Sequence, residues 1–529
     1  MEATALSHEM NPSVEVPAPG EAGSRRPLVT SLLTGMGTLG VSLGFERGAS
    51  FLSNVLAARL AGPGVFGAYS LALTTANNVA SYAGAGIGST ANRFVGQYPV
   101  GSSGHRRLLR VLAVVSASSA AIAALILWVG ATPMASLLLR NAKLGGPLKI
   151  AALSAAGFIL LECCRGLLIG QRSFPTLLLL SVLVGAGLVI AVPSTARFGA
   201  LPMLGGQAGA VLVAVLLVSW LIYRSAGSQP VPAIDDGTGP SVWGIWRFGL
   251  VQLSGIMGLN AAGWWVASLV ARQDPSLTQM AFYAIASQLR NVATLIPSLV
   301  GQTSFAMLTE EGATDFGGSD RVLAVSSVFA SLLGALCAGA AITILPWGLR
   351  YLYGNAYQRA ELASSIAIAT VLIHMGSAPA AYRLTIVSLR VTGIVNLVWA
   401  VFVLAAGTWL IPGGGAVAAV ESFFAAHVLS MILVLVWLRR HCALPPVIIG
   451  VSILNLFTAS ALLTISWLRS SNGMEPATAV MASAAVTGTA AFCLWRVGRA
   501  YGIADLQSLL TRSWGRAKPG LRDISPKDE

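Results

Sequence analysis

The chain has 529 residues, 55% of them hydrophobic and only 10% charged, with a net charge of +13 and a mean hydropathy of +0.74. An ordinary soluble domain carries roughly 25% charged residues, so this composition excludes a soluble fold of this size. The basic excess is not a nucleic-acid signature either, because no basic stripe interleaved with aromatics appears and the Lys and Arg residues sit between apolar runs.

In chain order, residues 1–27 hold Pro12, Pro17, Pro19 and Pro27 among acidic and small residues and read as a disordered cytoplasmic tail. A bilayer-spanning helix needs about twenty mostly apolar residues. About fourteen such spans are expected, near 30–58, 65–90, 108–131, 148–170, 175–196, 203–223, 244–271, 278–307, 322–345, 362–385, 389–411, 415–438, 446–468 and 477–498. The longest loop, 226–243, contains Asp235, Asp236, Gly237 and Pro240 and reads as a cytoplasmic linker. It divides an N-lobe (28–225) from a C-lobe (244–440), each of six spans. Two further spans (441–500) and a basic cytoplasmic tail (501–529) follow. The expected fold class is an all-α polytopic membrane protein with two pseudo-symmetric six-helix lobes plus two C-terminal helices. Ala58, Arg59, Tyr69, Ala72 and Asn77 are echoed by Ala271, Arg272, Tyr283, Ala286 and Asn291 at the first-to-second span junction of each lobe. An even number of spans per lobe gives the halves parallel topology. The bias of basic residues, Arg165 among them on the cytoplasmic side, places both termini in the cytoplasm.

Charges inside spans single out candidate functional residues. Glu46 and Arg47 lie in the middle of the first span. A charge at that depth costs roughly 2.5–3.5 kcal/mol, so both should face protein or water. On the same helix Gly40, Gly44 and Gly48 form a row of small residues suited to close helix packing, and Asn54 lies beside Arg47. Arg290 in the eighth span borders a polar stripe of Ser287, Asn291, Thr294 and Ser298. The planar guanidinium suits a phosphate, binding two oxygens at once. Asn78, Gln252 and Asn260 add amides to the expected substrate cavity. The bland alternative for all of these is a hydrogen-bond network that merely holds the bundle. Glu162, Glu421, His374 and His427 are candidates to carry a coupling proton, with a satisfied interhelical contact as the alternative. Arg93, Arg106 and Arg107 would meet anionic headgroups or a diphosphate at the cytoplasmic mouth, or serve only to fix topology.

The five cysteines lack metal-ligand spacing, and no phosphate loop or catalytic triad is visible. No metal, no cofactor and no enzymatic activity are expected. No loop is large enough for a soluble catalytic domain, so function must lie among the helices.

The stretch Ser50-Phe51-Leu52-Ser53-Asn54-Val55-Leu56-Ala57-Ala58-Arg59-Leu60-Ala61-Gly62-Pro63-Gly64-Val65-Phe66-Gly67-Ala68-Tyr69 resembles the opening of Wzx-type polysaccharide flippases. These belong to the superfamily that also holds lipid II flippases and MATE drug exporters. Their pattern is Ala-Arg-x-Leu-Gly-Pro, a short gap, then Phe-Gly-x-Tyr; here Ala61 replaces the Leu, and Arg93 matches a recurring basic position. The resemblance implies two lobes around a central cavity in a bacterial inner (plasma) membrane. It implies alternating access, and an isoprenoid diphosphate carrying an oligosaccharide as substrate. It further implies membrane lipids, a polysaccharide polymerase and export machinery as partners, and no nucleic acid. The assignment of Arg47 and Arg290 rests on burial and is not carried over from the family. The rival readings are a cation-coupled exporter of small molecules on the same fold, a membrane-embedded glycan polymerase or ligase, and a structural membrane scaffold.

Overall fold

The computed structural model describes residues 28–84, 86–95, 98, 102–227, 242–312, 316–442 and 444–500. Among these residues every regular element is helical. In order they are α1 (Leu28–Ala61), α2 (Pro63–Gly84), α3 (Ile87–Val95), α4 (Ser103–Pro133), α5 (Gly145–Gly170), α6 (Phe174–Thr195), α7 (Ala200–Gly227), α8 (Val242–Gln273), α9 (Thr278–Gly312), α10 (Phe316–Gly348), α11 (Glu361–Val387), α12 (Leu389–His441), α13 (Pro446–Asn472) and α14 (Pro476–Ala500). Among the described residues, nine helices are long and apolar enough to cross a membrane. α2 falls short because Thr74, Thr75, Asn77, Asn78 and Ser81 dilute its apolar content. The protein is an all-α, multipass membrane protein. The expected tails, and the linker from 228 to 241, lie outside the described residues.

Every expected span has its helix, with two refinements. The second span is broken at Gly86 (φ 70°), which separates α2 from α3. The eleventh and twelfth spans form one continuous element, α12, which turns at Gly415 (φ 55°, ψ −129°). A straight helix of 53 residues would be about 80 Å long, far beyond a hydrocarbon core of about 30 Å. Gly415 therefore makes α12 two spans. Gln279 Oε1 accepts the Ala416 N–H at 3.1 Å, which satisfies one of the donors that a helix start leaves open.

Two lobes result. In the first, α5 is central, against α2, α3, α4 and α7, while α1 lies along α6. In the second, α11 is central, between α9, α10, α12 and α13, and α14 lies against α10. The lobes repeat an irregular feature that the residue pattern does not advertise. α4 passes through Pro133 into a wide turn (Leu139 N–H to Met134 C=O, 2.9 Å) and a 3₁₀ turn before α5. α10 passes through Pro346 into the same kind of turn (Gly354 N–H to Leu349 C=O, 3.0 Å) and a 3₁₀ turn before α11.

Without water to expel, helices in a bilayer associate by close packing and interhelical hydrogen bonds, so small residues gather where backbones meet. A side-chain carbon built on Gly166 would sit 1.9 Å from the Gly88 carbonyl oxygen, which is why α3 can lie on α5. α13 is fastened by the buried Asn455, whose Nδ2 donates to Ser331 Oγ at 2.8 Å over the bare face of Gly376. At one end of the molecule the lobes are sealed together. Carbons built on Gly67 and Gly64 would lie 2.0 Å and 2.8 Å from the carbonyl oxygens of Leu277 and Ser276. Tyr357 donates to the Ala58 carbonyl, and Arg59 to the Tyr351 carbonyl, each at 2.8 Å. At the opposite end, α7, α12 and α14 each finish with an aromatic–basic pair. Arg224 lies over Trp220 (5.4 Å), Arg499 over Trp495 (4.9 Å), and His441 stacks on Trp437 (4.5 Å). Such pairs suit a membrane–water interface.

Gly67→Val is expected to force the sealed end apart and lower the apparent melting temperature of detergent-purified protein, whereas Gly130→Val, in open space, leaves it unchanged. The turn under the seal adds a pH effect. Partial burial tends to raise the Asp274 carboxyl, but hydrogen bonds from the Ser276 hydroxyl and the Gln279 and Ser276 amides outweigh it and hold the pKa below the usual value. A depressed pKa contributes stability above the unfolded value and loses it as pH falls through the folded one. Asp274→Ala should therefore cost melting temperature at pH ~7, with the gap to wild type closing below pH ~4.

Candidate substrate cavity and its seams

The lobes meet chiefly through α2, which packs on both α9 and α8, while α1 touches α9 at Phe51; the α2–α8 and α1–α9 lines are the two seams. In the first, Trp264 Nε1 donates to Thr75 Oγ1 (3.0 Å) and the Tyr82 hydroxyl to the Met257 carbonyl (3.3 Å). Seven residues separate the contacts on each helix, so α2 and α8 run antiparallel in step. This seam is fastened along most of α2. Asn78 and Asn260 fall at one level between the two contacts, on facing sides. Asn78 Nδ2 bonds back to the Thr74 carbonyl at 3.2 Å, and its buried Oδ1 has no partner. The side chain of Gln252 lies outside the described residues.

The second seam parts half-way. Gln288 Nε2 donates to the Phe51 carbonyl at 3.1 Å, held from behind by the Tyr353 hydroxyl on Gln288 Oε1 (3.3 Å). Beyond this point the helices separate. At about 100° per residue, Gly40, Gly44, Arg47 and Asn54 fall within about 60° of Phe51 on α1, the face turned to the C-lobe. The glycine row does not pack a helix as the sequence suggested. Carbons built on Gly40, Gly44 and Gly48 would meet nothing within 4 Å, and Arg47 is exposed. On α9 the matching face is equally open: Asn291 is exposed, as are Val292 (47%) and Leu299 (54%). Arg47 and Asn291 thus line one open seam, while Asn54 lies on the sealed side of the Gln288–Phe51 bond.

The other candidate charges group elsewhere. Glu46 turns into the N-lobe, where it pairs with Arg165 of α5; Arg165 NH1 also holds Glu162 at 2.5 Å. Sequence reasoning assigned Arg165 only to topology, because it lies near the end of its span. Its depth emerges once the fold brings Glu46 of α1 to it. In the C-lobe, Arg290 points away from the seam. Its guanidinium lies 5.8 Å from the centre of the Phe423 ring. The His374 and His427 rings meet edge to face at 5.0 Å, and Trp399 closes on His427 (5.4 Å) and Phe423 (5.7 Å). Tyr283 stacks on Phe423 at 6.4 Å. The structure thus gathers three residues read separately from sequence, and adds an aromatic wall of Tyr283, Trp399 and Phe423 that only the fold reveals. Glu421 is exposed and stays apart, turned about 200° from Phe423 on the same half of α12. Arg93, Arg106 and Arg107 are exposed at the end opposite the seal, with Arg93 5.8 Å from the Phe94 ring centre.

Acid partners separate these arginines into two kinds. Arg165 has Glu46 and Glu162, Arg383 has Asp320 (2.6 Å), and Arg469 has Glu361 (2.6 Å). Among the described residues, neither Arg47 nor Arg290 forms an ion pair. All five cysteines are free.

No protein-family model matches the chain, and no curated protein matches it. Among solved structures it is similar to the lipid II flippase MurJ in an inward closed conformation, with TM-score 0.64 and 11% identity over 86% of this chain and 98% of that one. It is also similar to a multidrug-resistance MATE family transporter of the MOP superfamily. The inward-facing form gives TM-score 0.59 and 14% identity over 78% of this chain and 98% of that one. The outward-facing form gives TM-score 0.51, again at 14%, over 78% and 96%. The chain shares its fold with these proteins. Within this fold the unpaired arginines and the half-open seam are the features from which a function must be read.

Breaking a buried ion pair by removing one partner typically costs about 3–5 kcal/mol. Arg165→Met strands Glu46 and is expected to collapse the yield of folded protein. Glu162→Gln, at the exposed end of the triad (59%), should be nearly silent in a melting assay. Glu46→Gln placed on Arg165→Met should recover much of the yield.

Proposed function

We propose that this chain is a flippase that carries an isoprenoid-diphosphate-linked oligosaccharide from the cytoplasmic to the outer leaflet by alternating access, for cell-surface polysaccharide biosynthesis. The observation that carries this reading is the asymmetry of the seams: α2–α8 is fastened while α1–α9 is open below Gln288, with an unpaired Arg47 on its face. A small soluble substrate needs only a central opening. A lipid-linked one also needs a slot through which its tail stays in hydrocarbon while its headgroup enters water. An arginine at that slot meets the diphosphate where tail and headgroup join. The similarity of fold to a lipid II flippase supports the same substrate class.

With both termini in the cytoplasm, Arg93, Arg106 and Arg107 and the aromatic–basic pairs lie on the cytoplasmic side, and the Gly67–Leu277 seal on the outer side. The described conformation is then inward-facing. Transport requires the seal to open and the α1–α9 seam to close. Bound anion biases that equilibrium only by its differential affinity for the two states.

The test is complementation of a bacterial strain lacking its polysaccharide flippase, at matched membrane expression. Wild type should restore surface polysaccharide, and Arg47→Ala should reduce it by about tenfold or more, the scale of one charge-assisted contact. Asn54→Ala should show a smaller loss. Full activity of Arg47→Ala would remove the diphosphate role from this residue. Failure of wild type across several glycans, together with cation-dependent efflux of small drugs, would establish the exporter reading instead.

A further inference from the structure

Arg290 and its surroundings are not used by the seam. Between positions 363 and 380 of α11, every residue but one is buried. The exception is His374, whose neighbours one turn away (Thr370, Val371, Ser377 and Ala378) are all enclosed. α11 is the central helix of its lobe, so an accessible side chain there opens onto an internal chamber, not onto lipid. The chamber wall is built by His427, Trp399, Phe423, Tyr283 and Arg290.

The chemistry of that wall is specific. Arg290 is a cation without a carboxylate partner among the described residues, in contrast to Arg165, Arg383 and Arg469. An uncompensated charge inside a membrane protein calls for an anion. A single guanidinium binds a planar carboxylate through two parallel hydrogen bonds. The aromatic rings offer flat apolar faces of the size of a sugar ring. The histidines supply the hydroxyl contacts. His427 Nδ1 lies 2.7 Å from the Phe423 carbonyl oxygen, which can only accept, so Nδ1 carries the proton and Nε2 is left to the chamber. One cation framed by an imidazole acceptor and aromatic faces is poorly matched to a diphosphate, which carries more charge, no hydroxyl to donate and no flat face.

We infer that this chamber is a glycan subsite for a carboxylated sugar of the transported headgroup, with Arg290 on the carboxylate, Trp399 and Phe423 against the ring, and His374 and His427 on its hydroxyls. The inference rests on the flippase reading and deepens it. The diphosphate is held at the α1–α9 seam, and the sugar acid enters the C-lobe.

The experiment is isothermal titration calorimetry on the full chain in lipid nanodiscs, with glucuronic acid, glucose and inorganic pyrophosphate as separate probes. Glucuronic acid should bind at least about tenfold more tightly than glucose, the worth of a charge-assisted contact. Arg290→Gln should abolish that preference, Arg290→Lys should retain part of it, and Trp399→Leu should weaken both sugars alike. Equal melting temperatures of the variants establish that they are folded. Arg47→Ala should leave all the sugar affinities unchanged. Equal binding of glucuronic acid and glucose, or an unaltered preference in Arg290→Gln, would overturn the subsite. So would pyrophosphate that competes with glucuronic acid and loses its affinity in Arg290→Gln. Glucuronic acid binding as expected in a protein that fails complementation would sink the flippase reading while leaving the subsite in place.

Discussion

Hydrocarbon cannot solvate a guanidinium, and the arrangement of this bundle follows from that constraint. Each arginine carried into the membrane must find an acid, water or an aromatic face. Arg165, Arg383 and Arg469 find acids on neighbouring helices and hold those helices together. Arg290 finds the Phe423 ring and a chamber, and Arg47 finds an open seam. The first kind of solution is closed, because charge is compensated within the protein. The second leaves an electrostatic vacancy that a ligand can fill. On the proposed reading, the same chemistry serves cohesion where an acid is supplied and recognition where it is withheld.

The glycines divide in a similar way. Gly67, Gly166 and Gly376 let backbones or amides come closer than any side chain would permit, and they fix the seal, the α3–α5 contact and the seat of α13. Gly40, Gly44 and Gly48 face open space in the same structure. Their spacing on α1 matches that of packing glycines. A smooth face without side chains also suits a seam that closes in one state and parts in another, since backbones can meet there without displacing anything.

Alternating access needs two rigid bodies and an interface that is bistable. Among the described residues the interlobe bonds mostly involve a backbone carbonyl: Gln288 to Phe51, Tyr357 to Ala58, Tyr82 to Met257, Arg59 to Tyr351 and Asn141 to Pro275. Each can be exchanged for water at modest net cost. Within the lobes, by contrast, the centres α5 and α11 are packed through glycine and alanine contacts and ion pairs that offer no such exchange. On the proposed flippase reading, the difference would let the lobes rock while each keeps its shape.

Sequence alone determined the class and the helical segments. It did so because hydrocarbon selects long apolar segments and excludes charge from them, a one-dimensional rule that can be read residue by residue. It also marked Arg47, Arg290, His374 and His427, since any ionisable group within a span stands out. It could not tell which of these share a site. Arg290, His374 and His427 lie on three different elements, α9, α11 and the second half of α12, and their meeting depends on how those helices pack. Arg165 passed for a topology signal because its distance from the span end says nothing of the helix opposite. Trp399, Phe423 and Tyr283 were invisible because aromatic residues in an apolar run carry no mark of the cavity they face. The open and closed seams, likewise, are a property of two helices at once. What a residue costs in the membrane is local and was legible; what it faces is decided only when the helices are assembled around it.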